Sequence, residues 1–310
     1  MDGIISIYKE QGYTSFDVVA KLRGICHQKK IGHTGTLDPD ATGVLPVCLG
    51  NATKLCEMLT DKSKEYEAVM LLGIETDTQD ISGKVLKEAA VDVSEDEVIA
   101  CIESFVGDIM QVPPMYSALK VNGKKLYELA RAGVEVERKP RPVTIHSIDI
   151  VDVKLPRVTM RVRVSKGTYI RTLCNDIGQK LGCGAAMESL VRTRVGIFDI
   201  DSSVKLDVVD GWAHSDSDSV ENHILKLEDI LAQYDKVILK GLADNYINNG
   251  NPFYAEDINL REKRTIASEE ALFDECENRV RVYNSDNVFK GLYDLDISSG
   301  IYKPYKMFLG

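Results

Sequence analysis

Apolar and polar positions repeat with two periods along the first two thirds of the chain. Thr14-Ser15-Phe16-Asp17 reads as a capping box, and Phe16, Val18, Val19 and Leu22 follow it at helical spacing. Ser94-Glu95-Asp96-Glu97 repeats the signal ahead of Val98, Ile99, Ile102 and Phe105. These predict two helices with buried apolar faces, Phe16 among the inward positions. Lys64 to Ile74 predicts a buried strand, charged at first and then almost wholly apolar from Ala68 to Leu72. Val143-Thr144-Ile145 and Ile148 to Val153 predict another. From Arg157 to Ser165, Val158, Met160, Val162 and Val164 alternate with Arg157, Thr159, Arg161 and Arg163. That is a strand with one core face and one strongly basic face. Ser165-Lys166-Gly167 then turns the chain into a helix carrying Ile170, Leu173, Ile177 and Leu181, which Gly182 and Gly184 end.

Beyond residue 200 the pattern changes. Gly211 to Asn222, with Ser215-Asp216-Ser217-Asp218-Ser219, predicts an exposed linker or loop. A short helix is expected around Ile224 to Leu231. Short strand-like runs follow at Val237–Leu239, Arg279–Tyr283, Val288–Tyr293 and Lys306–Leu309, separated by glycines. The expectation is an α+β chain with a small β-rich second unit. At 310 residues there is room for both.

Composition narrows the classes. With 44% hydrophobic and 28% charged residues the chain can build a core. Met1 to Tyr8 lacks the basic start and apolar stretch of a signal peptide, and no apolar run reaches the ~18–20 residues of a membrane helix. The seven cysteines are scattered, with no Cys-x-x-Cys pair, so neither a zinc ribbon nor a redox motif is indicated. The expectation is a cytoplasmic protein whose thiols mostly act as small core residues. Taken alone, the net charge of −10 argues against a nucleic-acid partner, but its distribution does not. Residues 1–200 carry 26 Lys+Arg against 27 Asp+Glu; residues 201–310 carry 12 against 21. Within the first part, Lys120 to Arg141 holds a local excess of four positive charges. It is a candidate phosphate-facing surface, though by itself it reads equally as a solvated helix face.

The densest turn chemistry lies at Gly32-His33-Thr34-Gly35-Thr36-Leu37-Asp38-Pro39-Asp40-Ala41-Thr42-Gly43. A calcium loop starting at Asp38 would need a glutamate at its twelfth position, which is Leu49. A dehalogenase-type phosphatase needs an apolar strand before its first aspartate, and Gly32 to Leu37 is too polar. No Gly-Lys-Ser/Thr follows, so this is not a P-loop. Asp38-Pro39-Asp40 as a simple turn is the remaining local reading.

Other segments change that reading. Lys30 to Pro46 closely resembles the catalytic motif of the TruB family, the bacterial synthases that form pseudouridine at position 55 of tRNA. Lys64-Glu65-Tyr66-Glu67-Ala68 resembles the family's second motif. Gln111 to Lys120, with Gly123 and Tyr127 to Arg131, is similar to the third. Ser165 to Leu173 and Glu188 to Gly196 match two more, all in the family's order. One departure is Lys9-Glu10, where the family usually has Lys-Pro; that position reads as remote from the chemistry.

The resemblance implies a catalytic domain over residues 1–232, a mainly antiparallel mixed sheet flanked by helices. It implies a small PUA-like RNA-binding domain over 233–310. The implied reaction is isomerisation of uridine 55 in the T stem-loop of tRNA, with no cofactor, metal or guide RNA, in a monomer. Asp38 is the expected catalytic carboxylate, by attack at C1′ or through a glycal intermediate. Arg171 is expected to pair with it. Tyr66 is expected to stack on the flipped base, Tyr169 and Leu190 to wall it, and His33 to contact neighbouring nucleotides. Lys64, Lys166, Arg192 and Arg194 are expected phosphate contacts. The alternatives are the guide-RNA-dependent relatives of archaea and eukaryotes, and an RNA-folding module with secondary catalysis.

Overall fold

The computed structural model describes residues 1–60, 62–121, 123–264 and 277–309. A ten-stranded sheet organises the first two thirds. Across it lie, in order, Leu225–Lys226, Gly3–Lys9, Thr42–Leu49, Ala185–Val195, Lys64–Leu72, Arg157–Val164, Arg141–Lys154 and Gly107–Gln111. Ile31–His33 pairs along Thr42–Leu49, and Phe198–Asp199 returns along Ala185–Val195. The pairs are antiparallel except where Val191 and Arg192 meet Thr42 and Gly43. The expected mainly antiparallel mixed sheet is therefore what forms.

Thr42–Leu49 is buried on both faces, which explains its unbroken apolar run. Leu45, Val47 and Leu49 pack with Val18, Val19 and Leu22 of the helix Ser15–Ile25. Val44 and Cys48 face a second cluster that also holds Leu292 and Phe308 from the C-terminal part. A third cluster joins Ala68, Met70, Val158, Met160 and Val162 to the helices Glu95–Glu103 and Ile170–Leu181. Both expected capping boxes are formed, at Thr14 with Asp17 and at Ser94 with Glu97. Gly182 ends its helix in the left-handed conformation, with φ 81°.

Several expectations change. Phe16 is 62% exposed and lies off the core face of its helix. Val143–Ile145 and Ile148–Val153 form one strand, Arg141–Lys154, bent by irregularities in its register. On the neighbouring Arg157–Val164 strand the outward arginines are partly neutralised: Arg157 pairs with Glu188 at 2.9 Å and Arg161 with Glu67 at 3.2 Å. The expected exposed stretch from Gly211 is partly structured, because Leu206–Ala213 is helical and Trp212 stacks on His223 at 3.6 Å. Of the cysteines, Cys48, Cys101, Cys174 and Cys183 are buried, Cys26 and Cys56 are half-buried, and Cys276 lies outside the described residues.

The C-terminal part forms a six-stranded sheet in the order Phe253–Tyr254, Ile301–Met307, Phe289–Asp296, Arg279–Tyr283, Asp235–Leu239 and Ile258–Glu262. The last expected strand begins at Ile301 rather than Lys306. This sheet is tied to the first part. Lys54 Nζ donates to the Met307 carbonyl at 2.8 Å, and Lys306 Nζ donates to the Lys54 carbonyl at 2.7 Å. No helix among the described residues is long and apolar enough to cross a membrane.

Candidate active site

The loop joining Ile31–His33 to Thr42–Leu49 carries Asp38, and its backbone is pinned on several sides. Leu37 N donates to Ser15 Oγ at 2.9 Å. Gly12 N donates to the Pro39 carbonyl at 2.9 Å, and Lys9 Nζ donates to the same oxygen at 3.0 Å. Arg192 donates from Nε to the Val44 carbonyl at 2.7 Å and from its terminal nitrogens to the Gly35 and Thr36 carbonyls at 3.4 Å. A polar loop is thus pinned in place, because donors from distant residues, Lys9 and Arg192 among them buried, meet its carbonyls.

Arg171 stands in the first turn of the helix Ile170–Leu181 with only 8% of its side chain exposed. Its Nη2 lies 3.2 Å from Asp38 Oδ2, and its Nη1 lies 3.2 Å from Asp80 Oδ2. The Thr78 and Tyr116 carbonyls accept further bonds at 3.2 and 2.9 Å. The guanidinium is therefore fixed by one carboxylate while it orients the other. Asp38 keeps 46% of its side chain accessible, so the carboxylate is not sealed off by the pair. Crowding by protein pushes its pKa up; Arg171 opposes that and Asp80 adds to it.

Leu37, Ala41, Tyr66, Ile170 and Leu190 belong to one apolar cluster. Tyr66 and Leu190 are both buried, so the expected platform and wall are extensions of the core. The second aromatic is Tyr169, at the entrance to the Arg171 helix. Its backbone N donates to Gln111 Oε1 at 2.8 Å, while Gln111 Nε2 donates back to its carbonyl at 3.1 Å. Burial raises the pKa of the Tyr169 hydroxyl. His33 Nδ1 accepts from Gly35 N at 3.3 Å, and burial lowers the ring's pKa, which favours the neutral form with its proton on Nε2.

The structure brings Asp38 and Arg171 into contact and sets Tyr66 and Leu190 in the cluster beside their loop. It places two expected phosphate contacts elsewhere. Arg192 is buried with its donors on loop carbonyls, and Lys64 is buried and donates to the Thr60 and Lys62 carbonyls. Lys166 and Arg194 are exposed. Lys9 is not remote: it is fully enclosed against the Asp38 loop, and burial lowers its pKa to about 8 despite the pull of Asp38. Sequence assigns no site role to Asp80, Ser15 or Gln111. Gln111 opens the segment similar to the third motif, but its role, like those of Asp80 and Ser15, lies in bonds to residues far away in the chain. Among the described residues no group of three or more His, Cys, Asp or Glu side chains is placed to share a metal ion.

Comparison with solved structures gives the class. The chain matches a crystal structure of a Cbf5-Nop10-Gar1 complex with a TM-score of 0.70 and 28% identity, over 99% of this chain and 84% of that one. An H/ACA RNP bound to a substrate RNA containing 2'-deoxyuridine matches with a TM-score of 0.69 and 25% identity, over 99% and 85%. This is the fold of the pseudouridine synthases, isomerases that act on RNA. The profile described as TruB family pseudouridylate synthase (N terminal domain) matches residues 23–170. That of the tRNA pseudouridylate synthase B C-terminal domain matches residues 171–232. A tRNA pseudouridine synthase B of Lachnoclostridium phytofermentans is 50% identical over the full length of both chains. One from Clostridium novyi is 45% identical over 94% of this chain and 95% of its own. The chain belongs to the TruB family of pseudouridylate synthases.

Proposed function

We propose that this protein isomerises uridine 55 in the T stem-loop of tRNA to pseudouridine, working as a cytoplasmic monomer without a guide RNA. The observation that carries the reading is the Asp38–Arg171 pair, whose carboxylate stays accessible. In the reaction the N1–C1′ bond breaks, the base turns, and C5 bonds to C1′, losing its proton while N1 gains one. No electrons enter or leave. Asp38 acts at the sugar, and attack at C1′ and the glycal route both need it ionised. The target base must leave the stack, at a cost of roughly a few kcal/mol. Stacking on Tyr66, worth ~1–3 kcal/mol, offsets part of that. Tyr169 and Leu190 wall the base and His33 borders the space it vacates. The full-length similarity to tRNA pseudouridine synthases B supports tRNA as the substrate. We further assign catalysis to residues 1–232 and an auxiliary RNA-binding role to 233–310.

The test uses an unmodified tRNA transcript. The wild type should form pseudouridine at uridine 55, and Asp38→Asn should form none while still binding the RNA. Product absent from position 55 with the wild type would overturn the reading.

A further inference from the structure

The geometry points to Gln111 as a positioning residue for the isomerisation: it closes the start of the Arg171 helix from a distant strand, and so fixes Tyr169 and Arg171 together. The inference rests on the active-site reading above. Tyr169 holds the N-cap position of the helix Ile170–Leu181 and makes no side-chain cap bond there. Its ring cannot bring an oxygen back to the first turn as a serine, threonine, aspartate or asparagine would. Thr172, the third residue of the helix, gives no return bond of a capping box either, since its hydroxyl donates to Gln79 Oε1 at 2.7 Å. The end is closed from outside instead. Tyr169 N donates to Gln111 Oε1 at 2.8 Å, and Gln111 Nε2 donates to the Tyr169 carbonyl at 3.1 Å. That carbonyl also takes the first helical bond, from Leu173 N at 3.0 Å.

Gln111 is 2% exposed and ends the edge strand Gly107–Gln111. Pro113 and Pro114 follow and restrict the backbone that leads to Tyr116. The Tyr116 carbonyl accepts from Arg171 Nη2 at 2.9 Å, the same nitrogen that meets Asp38. Residues 111 and 116 therefore grip Tyr169 and Arg171 as two ends of one short splint. A two-point amide clasp fixes both the direction and the tilt of the peptide at Tyr169. A shift there moves the ring and the guanidinium together. Gln111 itself is enclosed by protein, so it acts on turnover rather than on RNA affinity.

Gln111→Glu tests this, because a carboxylic acid reproduces both bonds and a carboxylate only one. Ionised, the glutamate still accepts from Tyr169 N but sets a bare oxygen against the Tyr169 carbonyl; protonated, its O–H donates there as the amide does. Arg141, opposite it in the sheet, and Arg171 favour the carboxylate, while burial and Asp38 favour the acid. Assays run well below the melting temperature, where the variant is fully folded at every pH used. At about pH 8 its kcat on the tRNA transcript should fall ~10-fold or more, with Kd within about twofold of wild type. The kcat ratio of variant to wild type should climb toward unity as pH falls to about 6. Gln111→Met, which can make neither bond and carries no charge, should be slow throughout. A ratio near unity at pH 8, a flat ratio across the range, or full turnover in Gln111→Met would overturn the inference. Absence of pseudouridine at uridine 55 with the wild type would strike the functional reading instead. Hydrogen exchange at the Tyr169 amide needs no substrate: it should quicken in Gln111→Met, and unchanged exchange would overturn the clasp.

Discussion

Asp38 sits between opposing influences. Desolvation raises its pKa and Arg171 pulls it back, with a net upward shift. Turnover that needs the carboxylate should be full above that pKa and fall as pH drops through it, at a higher pH than for an aspartate near ~3.9. For stability the sign reverses. The folded state holds this proton more tightly than the unfolded chain, so stability from this group is present at low pH and lost as pH rises. Asp38→Asn should therefore melt no lower than wild type at pH 7, with the difference closing toward acid pH. The effect should be small, because nearly half the side chain is accessible and screened by solvent. Calorimetry checks it; a Tm several degrees lower at pH 7 would contradict it. Arg171 gives a second prediction. Losing charged hydrogen bonds worth ~1.5–3 kcal/mol should cut kcat by roughly 10- to 100-fold in Arg171→Ala. Asp80→Asn, which leaves the Arg171–Asp38 contact in place, should cost less. RNA affinity should change little in either. Asp38, Arg171 and Tyr66 are legible as candidates because each lies in a contiguous motif. Asp80 is not, because its role exists only where Arg171 reaches it.

Period and caps of helices and strands are readable wherever one face meets the core. The capping boxes and the alternation of Arg157–Val164 are examples. Phe16 shows the limit: helical spacing counts it with Val19, but the direction of burial depends on what packs against the helix. Arg192 shows another. Sequence marks a cation, while the parallel pairing of its strand with Thr42–Leu49 turns it inward. Gly43 makes that pairing possible. Its φ is 104°, and an added Cβ would lie 2.2 Å from the Arg192 carbonyl oxygen. Gly43→Ala should lower Tm and turnover together, as measured by calorimetry and pseudouridine formation. Unchanged stability would show that the two strands can separate without harm.

The two sheets share a core. Leu292 and Phe308 pack in one cluster with Ile4, Val44, Leu55 and Tyr234. Arg281 crosses to the Tyr234 and Glu228 carbonyls at 2.9 and 3.2 Å. Phe308→Ala should cost ~3–5 kcal/mol and lower a single unfolding transition. Separate melting of the C-terminal sheet, with the main transition unmoved, would refute the shared core. Element types, the family and its central carboxylate are written in the sequence, because periodicity, caps and contiguous motifs are local properties. Long-range packing alone makes Arg192 and Lys9 serve the Asp38 loop, anchors Arg171 on Asp80, and turns Phe16 to solvent. Those outcomes depend on which distant groups meet a buried charge or leave a ring uncovered, and no local pattern encodes that.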